Sequence, residues 1–185
     1  MNTKKYKNLP NLQGRTLKEK YKNRDPILET SGKIVGFYER EYYVFSNFSS
    51  FSVRWKGRLW PTSEHAYQAA HFFKTAPRLV EKIHKAKSAH EAFKVAKANA
   101  GKAPENWEDI KVSIMEDIVR HKLKQHEYIQ HKLHQTGKRK LVEDSPKDPC
   151  WGWGIDKKGR NELGKVWMKI RDEFLRTSSV NRREP

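Results

Sequence analysis

Glu64, in the run LWPTSEHAYQAAHFF, and Glu143 and Asp148, in LVEDSPKDPCWGWG, are acidic residues set near tryptophans in a chain that is otherwise basic. Glu64 falls in the first turn of an expected helix, where free backbone N–H groups and the macrodipole favour an ionised carboxylate. Gln68 and His71 follow it at helical spacing, so carboxylate, amide and imidazole share one face. Glu143, Asp144 and Asp148 form a local acidic concentration on a loop, where differing environments can push two carboxyl pKa values apart and divide acid from base, as glycoside hydrolysis requires. The plainer alternatives are a helix-start charge facing solvent for Glu64 and an Asx-type turn for Asp144 or Asp148.

The run WGWGIDKKGRNELG, from Trp151 to Gly164, alternates the largest apolar side chain with the smallest residue. Gly152 and Gly154 would let the backbone approach a ligand, with Trp151 as a wall. Arg160 and the helix start at Asn161 would offer a guanidinium and backbone N–H groups to a phosphate, although the run matches no phosphate-loop pattern. Trp107, Trp151 and Trp153 are stacking surfaces for a base, worth ~1–3 kcal/mol per base, or else core aromatics. His121, His126, His131 and His134 lack the spacing of a metal site, and none is expected. Cys150 has no cysteine to pair with and no base assigned to it by spacing.

These residues must be positioned by a domain of modest size. The chain has 185 residues, a formal charge of +17, a hydrophobic content of 36% and a mean hydropathy of -0.98. That length suits one domain, and the low hydropathy implies solvated arms beside a core. Residues 1–30 read as a basic arm, 31–176 as the folded domain and 177–185 as a basic tail. The positive field attracts polyanions without choosing among nucleic acid, nucleotide phosphates and acidic surfaces. With neither an apolar run of bilayer length nor a signal-peptide core, a cytoplasmic protein is expected, or a nuclear one in a eukaryote, without membrane contact.

Strands are expected within 33–48, followed by a hairpin about Lys56-Gly57. Thr62 then caps a helix that Pro77 ends, and Ser88 with Glu91 forms a capping box for a second that closes on a left-handed Gly101. Further helices run from Trp107 to about Lys124 and over EYIQHKLHQTG; KRKLVED is a short strand, and Asn161 opens a last helix to about Arg176. Strands and helices do not alternate as βαβ units, so the fold class is α+β, a mainly helical single domain with a small N-terminal β region.

Taken in order, VFSNF, LWPTSEHAYQAAHFF, NWEDIKVSIM, LVEDSPKDPCWGWG and GRNELGKVWMKIR resemble the motifs of the NADAR (YbiA-like) superfamily from about Ile34 to Phe174. The resemblance implies an N-glycosidase that hydrolyses a ribosyl C1–N bond without cofactor or metal. Its associated substrates are ADP-ribose on guanine bases of nucleic acid and ribosylamino-pyrimidine intermediates of riboflavin synthesis. By motif position it places Glu64, Lys122, Glu143 and Asp148 in the catalytic group. Asn47, His65, Gln68, Trp107, Trp151 and Asn161 are then substrate-binding, alongside Gly152, Gly154 and Arg160. His71 stands where many members have lysine, and Leu123 where phenylalanine is usual.

Carboxylate-assisted departure of the base and a Schiff base on Lys122 both remain open routes, the second needing a desolvated lysine. The charge and the arm favour ADP-ribosylated guanine in nucleic acid as substrate, with DNA contact through the basic surface. The alternatives are the riboflavin-type substrate and a non-catalytic module that binds ADP-ribose or nucleic acid.

Overall fold

The structure is a computed structural model describing residues 32–38 and 41–180, without the side chains of 177–180. The arm assigned to residues 1–30 and the end of the tail lie outside the described residues. Strand β1 (Ile34–Phe37) pairs in parallel with β4 (Lys140–Glu143), in a register that sets Phe37 opposite Glu143. A parallel pair needs a long crossover, and here everything between the two strands supplies it. The start of the domain is thereby tied to the strand that ends in a candidate acid.

The hairpin forms as expected, β2 (Val53–Trp55) against β3 (Arg58–Trp60). Lys56 and Gly57 have φ of 48° and 74°, the two positive angles of a type I′ turn whose twist suits a tight hairpin. No second strand forms between Tyr38 and Phe48 among the described residues. Tyr43–Phe45 is a 3₁₀ turn instead, because the carbonyls of Val44 and Ser46 accept from Lys122 Nζ at 2.6 and 3.0 Å and from Ser49 Oγ at 3.2 and 2.8 Å. Carbonyls turned inward to an ammonium are lost to a ladder.

Six α-helices follow among the described residues. Helix α1 (Ser63–Ala70) starts on Thr62, whose Oγ1 accepts from the His65 N–H at 3.3 Å. Pro77 was expected to end this helix; α1 stops earlier, and Pro77 opens α2 (Pro77–His84), where its fixed φ and missing N–H fit the first turn. Of the capping box expected for α3 (Ala89–Lys97), the Ser88 half forms, the Glu91 N–H donating to Ser88 Oγ at 3.1 Å, while Glu91 Oε2 accepts from the N–H of Lys87, one residue before the cap, at 2.7 Å. Gly101 is not a left-handed cap, since it lies within a 3₁₀ turn at Ala100–Lys102.

Helix α4 (Trp107–Gln125) crosses the middle of the domain and packs on α1, β2 and α6 (Glu162–Val180), with α5 (Glu127–Gln135) turning back from its end. The backbone of α6 passes Arg176, so the helical part of the chain extends beyond the expected start of the tail. Phe37, Phe45, Trp55, Trp60, Phe72, Ile118 and Trp167 are all almost fully buried in one core. Trp167 Nε1 also donates to the Phe45 carbonyl at 2.8 Å, fastening α6 to the 3₁₀ turn. The α+β class with mostly helical content is what the order of elements implied. No helix among the described residues is long and apolar enough to cross a membrane.

Candidate active site

A cavity of about 750 Å³ opens between α1, α3, the turn after Phe45 and the loop from β4 to α6. Of the sequence-predicted residues, Asn47, Glu64, Gln68, Glu143, Asp148 and Trp151 line it. Helix α1 contributes Glu64, Tyr67 and Gln68, and its C-cap residue His71 continues the face that helical spacing defines. Tyr67 was not singled out by sequence, although its position three residues after Glu64 was the available signal. Helix α3 adds His90, Phe93 and Lys97 in the same way.

Glu64 is 5% exposed and Glu143 is 8% exposed. Burial pushes the Glu64 carboxyl up to about 7, against the opposing hydrogen bond that Gln68 Nε2 donates to Oε1 at 2.7 Å, and the Asp148 charge adds to the rise. Burial pushes Glu143 up to about 8, with Asp148 and then Glu64 adding to it. The three acids therefore sense one another across a single cavity. Asp148 Oδ1 accepts from the N–H groups of Cys150 and Trp151 at 2.8 and 2.9 Å, so the expected Asx turn and the acid group coexist in one residue.

Buried polar atoms in folded proteins nearly always have partners. Here Glu143 Oε2, Asn47 Oδ1 and His71 Nε2 are buried without a hydrogen bond, and all three residues line the cavity. Asn47 is held from its other end, Nδ2 lying 3.2 Å from Met115 Sδ, and its carbonyl accepts from the Glu64 N–H at 3.0 Å. The cavity wall thus presents unsatisfied groups fixed by satisfied neighbours, the arrangement of a site built to receive a polar ligand.

The remaining expected residues stand behind this wall. Lys122 is fully buried and does not line the cavity; its Nζ donates to the Val44 and Ser46 carbonyls and to Ser49 Oγ, the last at 2.8 Å. Burial draws its pKa down to about 7, as a Schiff-base lysine would need, yet its three protons are spent on the turn that carries Ser46, Asn47 and Phe48. His65 faces away from the cavity, its ring bridging Thr62 Oγ1 at 2.9 Å and the Ala86 carbonyl at 3.1 Å. Asn161 joins β4 to α6: Oδ1 accepts from the Glu143 N–H and Nδ2 donates to the Leu141 carbonyl, both at 2.9 Å. It positions Glu143 rather than touching the cavity.

The glycine loop was expected to bring backbone close to a ligand, and instead it brings backbone close to itself. A Cβ on Gly152 would lie 2.6 Å from the Glu143 carbonyl oxygen, so only glycine allows the loop to pack on the end of β4. Gly154, with φ of 69°, turns beside Pro149, and neither glycine lines the cavity. Arg160 is exposed and its Nη2 donates to Cys150 Sγ at 2.7 Å, outside the cavity wall. Trp107 supports the wall from behind, its ring 3.8 Å from that of His71 and 5.5 Å from that of Tyr67. Trp153 Nε1 donates to Asp144 Oδ1 at 2.8 Å, a structural use of both residues.

The model of the NADAR domain matches residues 36–175, three quarters of the sequence. The chain belongs to the NADAR family. It is 34% identical to the N-glycosidase YbiA of Escherichia coli over 143 residues, covering 76% of this chain and 88% of that one. The solution NMR structure of YbiA matches with a TM-score of 0.72 at 31% identity, over 83% of this chain and 89% of that chain. An N-glycosidase of Nostoc punctiforme is 36% identical over 147 residues, 78% of this chain and 94% of the relative. A riboflavin biosynthesis protein of Vibrio vulnificus is 37% identical over 163 residues, 87% of this chain; those residues span only 43% of the Vibrio protein. Homologues named as N-glycosidases over nearly their whole length place this NADAR chain among the hydrolases that act on N-glycosyl bonds.

Proposed function

We propose that this protein hydrolyses the ribosyl C1–N bond of ADP-ribosylated guanine in nucleic acid. The observation that carries the proposal is the cavity in which Glu143 presents an unpartnered, buried Oε2 beside Glu64 and Asp148. A carboxyl held up to about 8 keeps its proton at neutral pH and can give it to the departing base. As the C1–N bond breaks, its electron pair leaves with the base nitrogen, which takes the Glu143 proton. Asp148 faces the positive charge that develops at C1. Glu64, with a pKa of about 7, takes a proton from the water whose oxygen bonds to C1. The products are free ADP-ribose and unmodified guanine, and the two carboxyls reset through solvent.

The polyanionic substrate is supported by the charge of +17 and by Lys97 and Lys147 on the cavity wall. A cavity of about 750 Å³ lies in the upper part of the ~300–1,000 Å³ range of small-molecule sites, room enough for a sugar with a nucleotide attached. The Vibrio relative's name favours a second reading, hydrolysis of a ribosylamino-pyrimidine intermediate. Incubation with an ADP-ribosyl-guanine oligonucleotide and, separately, with ribosylamino-uracil phosphate distinguishes them. Release of ADP-ribose from the first alone supports the proposal; turnover of the second alone replaces it. Binding of ADP-ribose with no hydrolysis of either would make the chain a binding module.

A further inference from the structure

His71 ends the α1 face that carries Glu64, Tyr67 and Gln68, and it lines the cavity with its Nε2 buried and unpartnered. Its ring lies 3.8 Å from Trp107 at 44° and meets Tyr67 nearly edge-on at 5.4 Å; Tyr67 in turn meets Trp151 edge-on at 5.3 Å. Three of these rings, His71, Tyr67 and Trp151, thus line one wall of the cavity, with Trp107 packed behind His71 and Tyr67. Flat aromatic surroundings favour a flat ligand, and a polar atom left bare among them costs free energy until that ligand supplies a partner.

We infer that His71, backed by Trp107 and Tyr67, forms a subsite for the uncharged hydrogen-bonding edge of a nucleobase, which Nε2 contacts. The inference rests on reading the cavity as a nucleotide-sugar site and adds which wall takes the base. Burial supports it by drawing the imidazole pKa down to about 4, Glu108 opposing and Lys111 reinforcing that fall. At neutral pH the ring is therefore an uncharged group offering one donor and one acceptor, suited to an N–H or C=O edge rather than to a phosphate. The cations on the cavity wall are elsewhere, on Lys97 and Lys147, and those are the partners for an anionic end. Lysine at position 71 would put a charge where this chain has a neutral reader.

The test uses the full chain labelled with ¹⁵N-histidine and titrated separately with guanosine, uridine and inorganic phosphate, following the His71 Nε2 resonance. A saturable shift with guanosine or uridine, and none with phosphate, is expected, and which nucleoside acts tells purine from pyrimidine. His71→Gln should bind that nucleoside within about threefold of wild type, because it keeps a neutral donor and acceptor, whereas His71→Phe should bind at least ~10-fold more weakly. Equal unfolding midpoints for the two variants check that the fold is intact. A shift with phosphate alone, no shift with either nucleoside, or wild-type binding by His71→Phe would each overturn the inference. Hydrolysis of ADP-ribosyl-guanine is a separate readout, so failure of the proposed substrate and failure of this subsite are distinguishable.

Discussion

At the scale of residues, the proposed chemistry depends on two carboxyls, Glu64 and Glu143, whose burial makes them poor anions. The free-enzyme rate constant kcat/KM should be bell-shaped in pH, falling below about 7 as Glu64 takes a proton and above about 8 as Glu143 loses one. The two limbs belong to the coupled group, and Glu143→Gln should remove the alkaline one. Stability carries the same signature with a definite sign. Both pKa values are raised from 4.5, so between that pH and about 8 the folded state binds more protons than the unfolded state. Stability is then fully present below about 4.5 and is lost as pH rises through 7 and 8. Denaturant midpoints at pH 5 and pH 8 should show a loss in wild type that is smaller in a Glu64→Gln, Glu143→Gln double variant; equal losses would contradict the assigned burial.

At the scale of elements, two buried side chains do their work through other residues. Asn161 ties the end of β4 to the start of α6, and Asn161→Ala would strand the Glu143 N–H and the Leu141 carbonyl. A loss of ~1–3 kcal/mol per stranded group is expected in urea unfolding, together with slower turnover as Glu143 loses its anchor. Lys122→Met should destabilise comparably by leaving the Val44 and Ser46 carbonyls short of a donor. Borohydride added during turnover should leave Lys122 unmodified; a reduced adduct on its Nζ would put that atom at the sugar.

Sequence reasoning singled out three acids that the structure gathers at one cavity, because carboxylates beside tryptophans stand out by residue type in a basic chain. It could not place Lys122, since motif position says which residue a family keeps and not which side of a wall it stands on. The glycines misled for a related reason: the backbone that Gly152 approaches is the chain's own, brought there by a β4 pairing that local sequence does not contain. Pro77 was read as a stop because a proline fits both the end of one helix and the first turn of the next. The hairpin and the Ser88 cap were legible because each is decided by residues within a few positions of one another.

At the scale of the whole molecule, a +17 chain surrounds a cavity lined by three acids, Glu64, Glu143 and Asp148. In the proposed reaction the general field draws the polyanionic substrate to the surface, while the acids meet a developing cation at C1 and a leaving group that needs a proton. Affinity for an ADP-ribosylated oligonucleotide should therefore fall steeply with salt, by ~10³ or more between 50 and 200 mM if several phosphates are contacted, while a small ribosyl substrate should show little dependence. The most direct measurement is single-turnover release of ADP-ribose from an ADP-ribosyl-guanine oligonucleotide by wild type and by Glu143→Gln. Release by wild type and a rate ~10²–10⁴-fold lower in the variant are expected. Equal rates in the two proteins would contradict the assignment of Glu143 as the acid.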